Sequence, residues 1–192
     1  MGWFRLSLFN NDNIPAAIID GKDILPGYRQ DTPIAGIMFY NSVGDECGGL
    51  VYGNKVDENS HYSTSASLTF DQYKQDQVVQ MSYTDDNGNR TYGFRLYDRP
   101  ERNLGKALEE VSKIQNSNLS PEEKEAAIKK EFAGHVQRAF MGKNENGEVS
   151  VKLMDSRGKE RIRMVVDEED HPKMEFLDDN GNVIYQLPPK TF

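Results

Sequence analysis

The sequence contains one cysteine, Cys47, so it can form neither an intrachain disulfide nor a cysteine-based zinc site. No stretch approaches the ~20 apolar residues that a membrane helix needs, and no signal peptide is visible after Met1. Walker loops, dinucleotide-binding glycine fingerprints and Gly-x-Ser-x-Gly nucleophile elbows are also missing from the sequence. These absences exclude the protein classes that are most easily identified from a single sequence.

Positive charge is also scarce, because 31 acidic side chains outnumber 23 basic ones and give a net charge of −8. An acidic surface repels both nucleic-acid phosphates and anionic lipid headgroups, so we expect neither kind of partner. The mean hydropathy of −0.74 is low for a globular protein. However, nine Phe, nine Tyr and one Trp supply core material that disordered chains lack, so we expect a folded chain.

Turn signals recur along the chain with one spacing, in which Asp or Asn is followed three residues later by Gly. This spacing is typical of a type I turn that ends in a left-handed glycine, and it connects paired strands in many hairpins. Calcium binding is the alternative, but alignment of Gly88 with position 6 of an EF-hand loop puts Tyr83 where the first oxygen ligand belongs. The sequence therefore predicts turns at residues 41–44, 85–88, 144–147, 155–158 and 178–181.

Between these turns, apolar and polar residues alternate with the period of a strand. Val149, Val151 and Leu153 are separated by polar residues, and the alternation continues to Leu187. We expect a mainly β (α+β) fold over residues 1–192, an antiparallel meander closed as a sandwich or a partly open barrel. The predicted strands cover residues 4–9, 16–19, 35–40, 49–52, 66–70, 78–83, 91–97, 149–153, 162–166, 174–176 and 183–187.

The middle of the chain has helical periodicity instead, and it predicts a helical hairpin over residues 103–140. Ser120, Pro121 and Glu123 form a helix-start signal, with an N-cap, a proline at the first position and a capping-box glutamate. Apolar residues then recur in steps of four from Ile128 to Phe140, which predicts a second helix that contains His135.

The densest polar stretch follows Phe70 and could form a ligand site. It contains amides, carboxylates and a phenol that could hydrogen-bond a sugar or a peptide, and it could face Asp45 and Glu46 across a sheet. Paired carboxylates could also perform acid–base catalysis, whereas the structural alternative is a solvated connection between strands. The candidate binding residues are Asp71, Gln72, Tyr73, Asp76, Gln77 and His61.

None of the three histidines has a second histidine or a carboxylate at the spacing of a known metal motif. We therefore expect no metal and no cofactor.

Residues 35–53 (AGIMFYNSVGDECGGLVYG) and 70–80 (FDQYKQDQVVQ), with residues 161–166 and 175–183, resemble a family of uncharacterised bacterial proteins. Members of that family often begin with one membrane-spanning segment, which implies an anchored domain outside the cytoplasm. This chain lacks that segment, and a native start at Met1 would instead imply a cytoplasmic protein. The resemblance implies no activity and no catalytic residues.

Two functions stay open from the sequence. The first is a non-catalytic binding or assembly module of a bacterial envelope or surface protein, with an unidentified protein or polymer partner or with strand edges that pair in a homo-oligomer. The alternative is a hydrolase of a polar substrate that uses Asp71, Asp76 or His61.

Overall fold

The computed structural model describes residues 5–29 and 33–189, and these residues contain thirteen strands and two helices. The strands are β1 (Leu6–Phe9), β2 (Ile18–Ile19), β3 (Lys22–Asp23), β4 (Ile34–Tyr40), β5 (Glu46–Val56), β6 (Tyr62–Asp71), β7 (Gln77–Asp86), β8 (Asn89–Asp98), β9 (Val136–Lys143), β10 (Val149–Met154), β11 (Glu160–Val166), β12 (Pro172–Leu177) and β13 (Val183–Leu187). The helices are α1 (Leu104–Gln115) and α2 (Pro121–Glu131).

Eleven strands form one sheet in the order β1-β4-β5-β6-β7-β8-β9-β10-β11-β12-β13, and β2 pairs with β3 in a separate hairpin. Nearly every neighbour in this order is also the neighbour in sequence, which is the meander that the turn spacing predicts. The prediction of a mainly antiparallel β fold with two helices is confirmed. Within the described residues β1 and β13 remain the two edges of an open sheet.

The contacts divide the chain into two compact units. Unit 1 contains Met1–Val51, Thr69–Val78 and Arg99–His135, and unit 2 contains Tyr52–Leu68, Val79–Asp98 and Val136–Phe192. The single β-rich domain over residues 1–192 stays a prediction. No helix in the described part of the chain has the length and apolar content needed to span a membrane.

Unit 1 has a core in which strand residues pack with one helix. Asn103 caps α1 by accepting a hydrogen bond from the Lys106 amide at 3.1 Å, and α1 buries Ala107 and Val111. The other buried apolar residues of this core are Phe9, Ala17, Ile19 and Met38.

Asp and Asn side chains hold the turns by accepting backbone amides. The Oδ1 atom of Asp155 accepts hydrogen bonds from the amides of Arg157 (2.9 Å) and Lys159 (3.1 Å), and Gly158 takes a φ of 78°. The turns that begin at Asn41, Asn144 and Asp178 repeat this arrangement. The turn prediction is confirmed at these four positions.

The turn between β7 and β8 has a different geometry from the predicted one. Asp86 pairs directly with Asn89, so the loop contains only Asn87 and Gly88, both with positive φ (52° and 94°). Two positive φ values define a type I′ turn, which suits the twist of a two-residue hairpin. Asp85 still contributes, because its Oδ1 accepts the Gly88 amide at 2.8 Å.

The helical hairpin predicted over residues 103–140 is correct at its start and wrong at its end. Ser120 forms the predicted capping box with Glu123, but α2 ends at Glu131 and residues 136–143 form β9. Gly134 has a φ of 92°, which turns the chain out of the helix. Val136 and Phe140 are therefore strand residues, and His135 follows the helix rather than lying in it.

We expect Gly134→Ala to destabilise the protein by about 1–2 kcal/mol, because a Cβ is strained at positive φ. Equilibrium urea denaturation followed by circular dichroism measures this loss. Gly134→Asn is the matched variant and should lose less, because Asn tolerates the left-handed region. If the helix continued to residue 140, alanine would instead stabilise it, so an increase in stability would contradict the observed helix end.

Candidate functional site

The polar stretch after Phe70 forms the tight connection between β6 and β7. The Gln75 amide donates to the Gln72 carbonyl at 2.9 Å, the Gln72 amide donates to the Asp76 carbonyl at 3.2 Å, and Lys74 has a φ of 54°. Five residues thus reverse the chain and direct their side chains to different places.

The structure separates the six candidate residues. Asp71 and Asp76 line one cavity in unit 1, whereas the Tyr73 side chain is 66% exposed. The Gln72 side chain donates to the Pro100 carbonyl at 3.2 Å. His61 belongs to unit 2, where it precedes β6 and lies 3.3 Å from the Asp86 carboxylate.

Gln77 contacts groups at this cavity with both its backbone and its side chain. Its carbonyl accepts a hydrogen bond from the Arg99 guanidinium at 2.8 Å, and its side-chain amide group lies against the Asp76 carboxylate. Gln77 therefore helps to position Asp76 and Arg99.

The cavity of unit 1 combines an apolar wall with a set of charged groups. Arg29 and Glu46 form a bidentate ion pair there, in which the guanidinium donates hydrogen bonds of 2.8 and 2.7 Å to the two carboxylate oxygens. No sequence pattern indicated Arg29, which lies far along the chain from Asp71 and Asp76. The lining residues are Ala17, Ile18, Ile19, Ile24, Leu25, Arg29, Glu46, Asp71, Gln75, Asp76 and Leu104.

The pKa of Asp71 is raised to about 7. Burial is the main cause, and the nearby carboxylates of Glu46 and Asp76 add to it, while Arg99 and Arg29 act in the opposite direction. Asp71 in turn helps burial to raise the pKa of the neighbouring Cys47 thiol. Near neutral pH, Asp71 is therefore partly protonated.

Arg99 connects this region to the end of the helical segment. Its guanidinium lies 3.3 Å from the Asp76 carboxylate and 3.0 Å from Nδ1 of His135. Burial, and secondly the charge of Arg99, lower the pKa of His135.

The cavity is too small for an organic substrate. Its volume is about 80 Å³, which holds a few water molecules, whereas ligand sites in proteins usually enclose about 300–1,000 Å³. Arg29 is also paired with Glu46, and Asp76 with Arg99. The arrangement therefore resembles a buried polar network more than an open active site.

Asp45 does not take part in this cavity, although the sequence raised it as a neighbour. Its carboxylate is buried and accepts the Asp20 amide at 2.7 Å, which ties the β2–β3 hairpin to the turn after β4. Its role is structural.

Unit 2 has a feature on a larger scale, which we call the apolar face: one side of the sheet from β7 to β13. The strand register aligns its side chains in three rows. The middle row is Met81, Phe94, Met141, Val151, Met164, Met174 and Leu187; one flanking row is Val79, Leu96, Ala139, Leu153, Ile162, Phe176 and Tyr185; the other is Tyr83, Tyr92, Lys143, Val149, Val166 and Pro172.

Lys143 is the single charged residue in these three rows, yet many of the side chains face solvent. Met141 is 56% exposed, Val149 51% and Met164 45%. Between β9 and β13 the face forms an open groove of about 630 Å³, which is within the size range of ligand and peptide sites. Its lining residues are Met141, Val149, Ser150, Val151, Met164, Val165, Val166, Pro172, Lys173, Met174, Leu187 and Pro188.

The opposite side of the same strands is polar and satisfies its charges internally. Arg163 bonds to Glu175, and Lys152 lies 3.1 Å from Glu148. Arg95 packs over the Phe140 ring at 5.0 Å. These contacts all lie on the polar side, whereas many side chains of the apolar face remain exposed among the described residues.

The alternation of residues 149–187 predicted the strands of this face, but not that it remains exposed among the residues that the structure describes. Comparison with the known protein families finds no match for this chain, and comparison with curated proteins finds no relative. The resemblance of residues 35–53 and 70–80 to a bacterial family stays a prediction.

We expect Asp71→Asn to stabilise the protein at pH 8 and to have little effect at pH 4. Because the folded pKa of Asp71 lies near 7 and the unfolded value near 4, the native state binds the extra proton between these values, and wild-type stability falls as pH rises through them. A shift of about three pKa units corresponds to at most about 4 kcal/mol. The free energy of unfolding, measured by urea denaturation from pH 4 to pH 8, tests this.

Asp12→Asn is the control, because it removes the same charge from an exposed position in unit 1. The difference in the free energy of unfolding between variant and wild type should change more with pH for Asp71→Asn than for Asp12→Asn. A flat profile for both variants would show that Asp71 is not held in a protonating environment.

Proposed function

We propose that this protein is a non-catalytic binding and assembly module of a bacterial envelope or surface protein, and that the apolar face of unit 2 is its contact surface. The observation that carries the proposal is the row from Met81 to Leu187, which is apolar across seven adjacent strands. The placement in an envelope rests on the resemblance of residues 35–53 and 70–80 alone.

The size of the face supports a role in binding. Seven strands about 4.8 Å apart span about 34 Å, and three rows about 6.8 Å apart cover about 20 Å, so the face measures about 700 Å². The largest apolar patch on a typical monomeric protein is about 300–600 Å². A larger patch marks a surface that is covered when the protein acts.

The composition of the face also supports binding. Met81, Met141, Met164 and Met174 are four of the chain's seven methionines, and all four lie in the middle row. Methionine side chains are flexible and polarisable, so they adapt to the contours of a partner.

The alternative proposal, a hydrolase of a polar substrate, has one observation in its favour. Asp71 holds a proton near neutral pH beside Asp76 and Glu46, and a general acid needs such a proton. The cavity of about 80 Å³ leaves no space for a substrate next to that proton, so the binding module is the better-supported function.

We expect the apolar dye 1-anilinonaphthalene-8-sulfonate to bind the monomeric protein, and Met164→Gln to reduce its fluorescence several-fold. Glutamine has nearly the shape of methionine but carries a polar amide, so the variant changes the polarity of the groove with little change in volume. Val166→Glu, in the same groove, should reduce dye binding further.

Val43→Glu is the matched control, because Val43 is 49% exposed in a turn outside the face and Val166 is 42% exposed within it. Circular dichroism and urea denaturation should show that all three variants remain folded. Dye binding that is equal in the three variants and the wild type, measured on monomers, would contradict a contact role for the face.

A further inference from the structure

We propose that the occupant of the apolar face is a second copy of this chain, packed face to face so that the two sheets form a sandwich. This inference rests on the proposed function and names its partner. Two sheets that pack in this way lie about 10 Å apart and interdigitate side chains from their inner sides.

The area of the face fits a dimer of ordinary stability. The face measures about 700 Å², and a standard protein interface buries about 800 Å² from each partner. A small apolar ligand in the groove between β9 and β13 would leave Met81, Leu96 and Tyr92 uncovered. A second copy of the sheet covers all three rows at once.

The distribution of charge permits two copies to meet at this face. The chain carries a net charge of −8, which opposes self-association wherever acidic groups face one another. Lys143 is the one charged residue in the three rows of the apolar face. It lies on β9 in a flanking row, away from the centre. A two-fold axis that lies in the plane of the interface, passes through the centre and does not run toward Lys143 keeps the two copies of Lys143 apart.

The centre of the face is Val151. It lies on β10, the fourth of the seven strands, and in the middle of the three rows. In a two-fold interface each residue meets the position related to it by the axis, so a residue on the axis meets its own copy. Superposing the centres of two faces brings Val151 opposite Val151 of the second copy.

Sedimentation velocity of the full chain tests the dimer directly. We expect the wild type to form a dimer at tens of micromolar and Val43→Glu to do the same. Val166→Glu should weaken the dimer at least about 100-fold, because it buries an unpaired carboxylate in an apolar interface. Dye binding per protomer should also fall as the wild-type concentration rises, since dimerisation closes the face.

A second measurement tests the geometry without a disruptive charge. In a Cys47→Ser background, Val151→Cys should be cross-linked to a dimer by a short bis-maleimide. Lys152→Cys is the matched control, because the adjacent residue of a strand points to the opposite side of the sheet. Reaction with N-ethylmaleimide confirms that both cysteines are accessible in the monomer.

The outcomes separate the inference from the proposed function. A wild type that stays monomeric at 200 µM while dye binding remains sensitive to Met164→Gln overturns the dimer and leaves the binding face intact. A dimer that survives Val166→Glu, or that cross-links equally through both cysteines, overturns the face-to-face arrangement. If the protein is monomeric and every substitution on the face leaves dye binding unchanged, both the dimer and the binding face are overturned.

Discussion

The strand register from β7 to β13 is the constraint on which the rest of unit 2 depends. Side chains of a strand point alternately to the two sides of the sheet, so a slip of one residue would exchange the two sides completely. The polar side holds Arg163 against Glu175 and Lys152 against Glu148. A slip would break these pairs and place charges in the row that contains Val151, which explains why one register is preferred.

The turns fix that register, because each one sets where the next strand begins. At Asp155 and Asp178 one carboxylate oxygen accepts two backbone amides, and the glycine that follows supplies the left-handed residue. Two backbone amides also help to lower the pKa of Asp155 to about 2, against the opposing effect of burial. The charge that holds the Asp155 turn is therefore present at all physiological pH values, and the turn at Asn144 is held by a neutral amide.

Local signals were sufficient to predict most of this architecture. The Asp/Asn-x-x-Gly spacing located four turns correctly, the alternation after Val149 located the last four strands, and Ser120 located the start of α2. Two further turns escaped notice because Ser60 and Asp170 take the left-handed position that glycine holds elsewhere (φ 62° and 63°). The strand β9 was missed because apolar residues in steps of four from Ile128 to Phe140 fit a helix, but the same spacing also satisfies strand alternation.

The candidate site was harder to predict, because its groups come together only through tertiary packing. Asp71 and Asp76 were identified from a local cluster, and Glu46 was expected to face them, but Arg29 pairs with Glu46 in the cavity and comes from a distant part of the chain. The apolar face had the opposite problem. Most of its residues were identified as strand residues, although those of β9 were not, while whether another element covers them depends on the whole fold.

An exposed apolar face of this size raises the question of why the chain would form a defined dimer rather than an aggregate. Uncontrolled association of β proteins usually proceeds through edge strands, whose free backbone groups accept further strands. Here the edge strand β13 has only five residues and is followed at once by Pro188 and Pro189, which cannot donate backbone hydrogen bonds. The turns at the strand ends carry charged side chains such as Arg157, Asp179 and Glu169, which form a polar rim around the face. In the proposed dimer, association through the face would satisfy the apolar rows and stop at two copies, because the outer side of each sheet is polar.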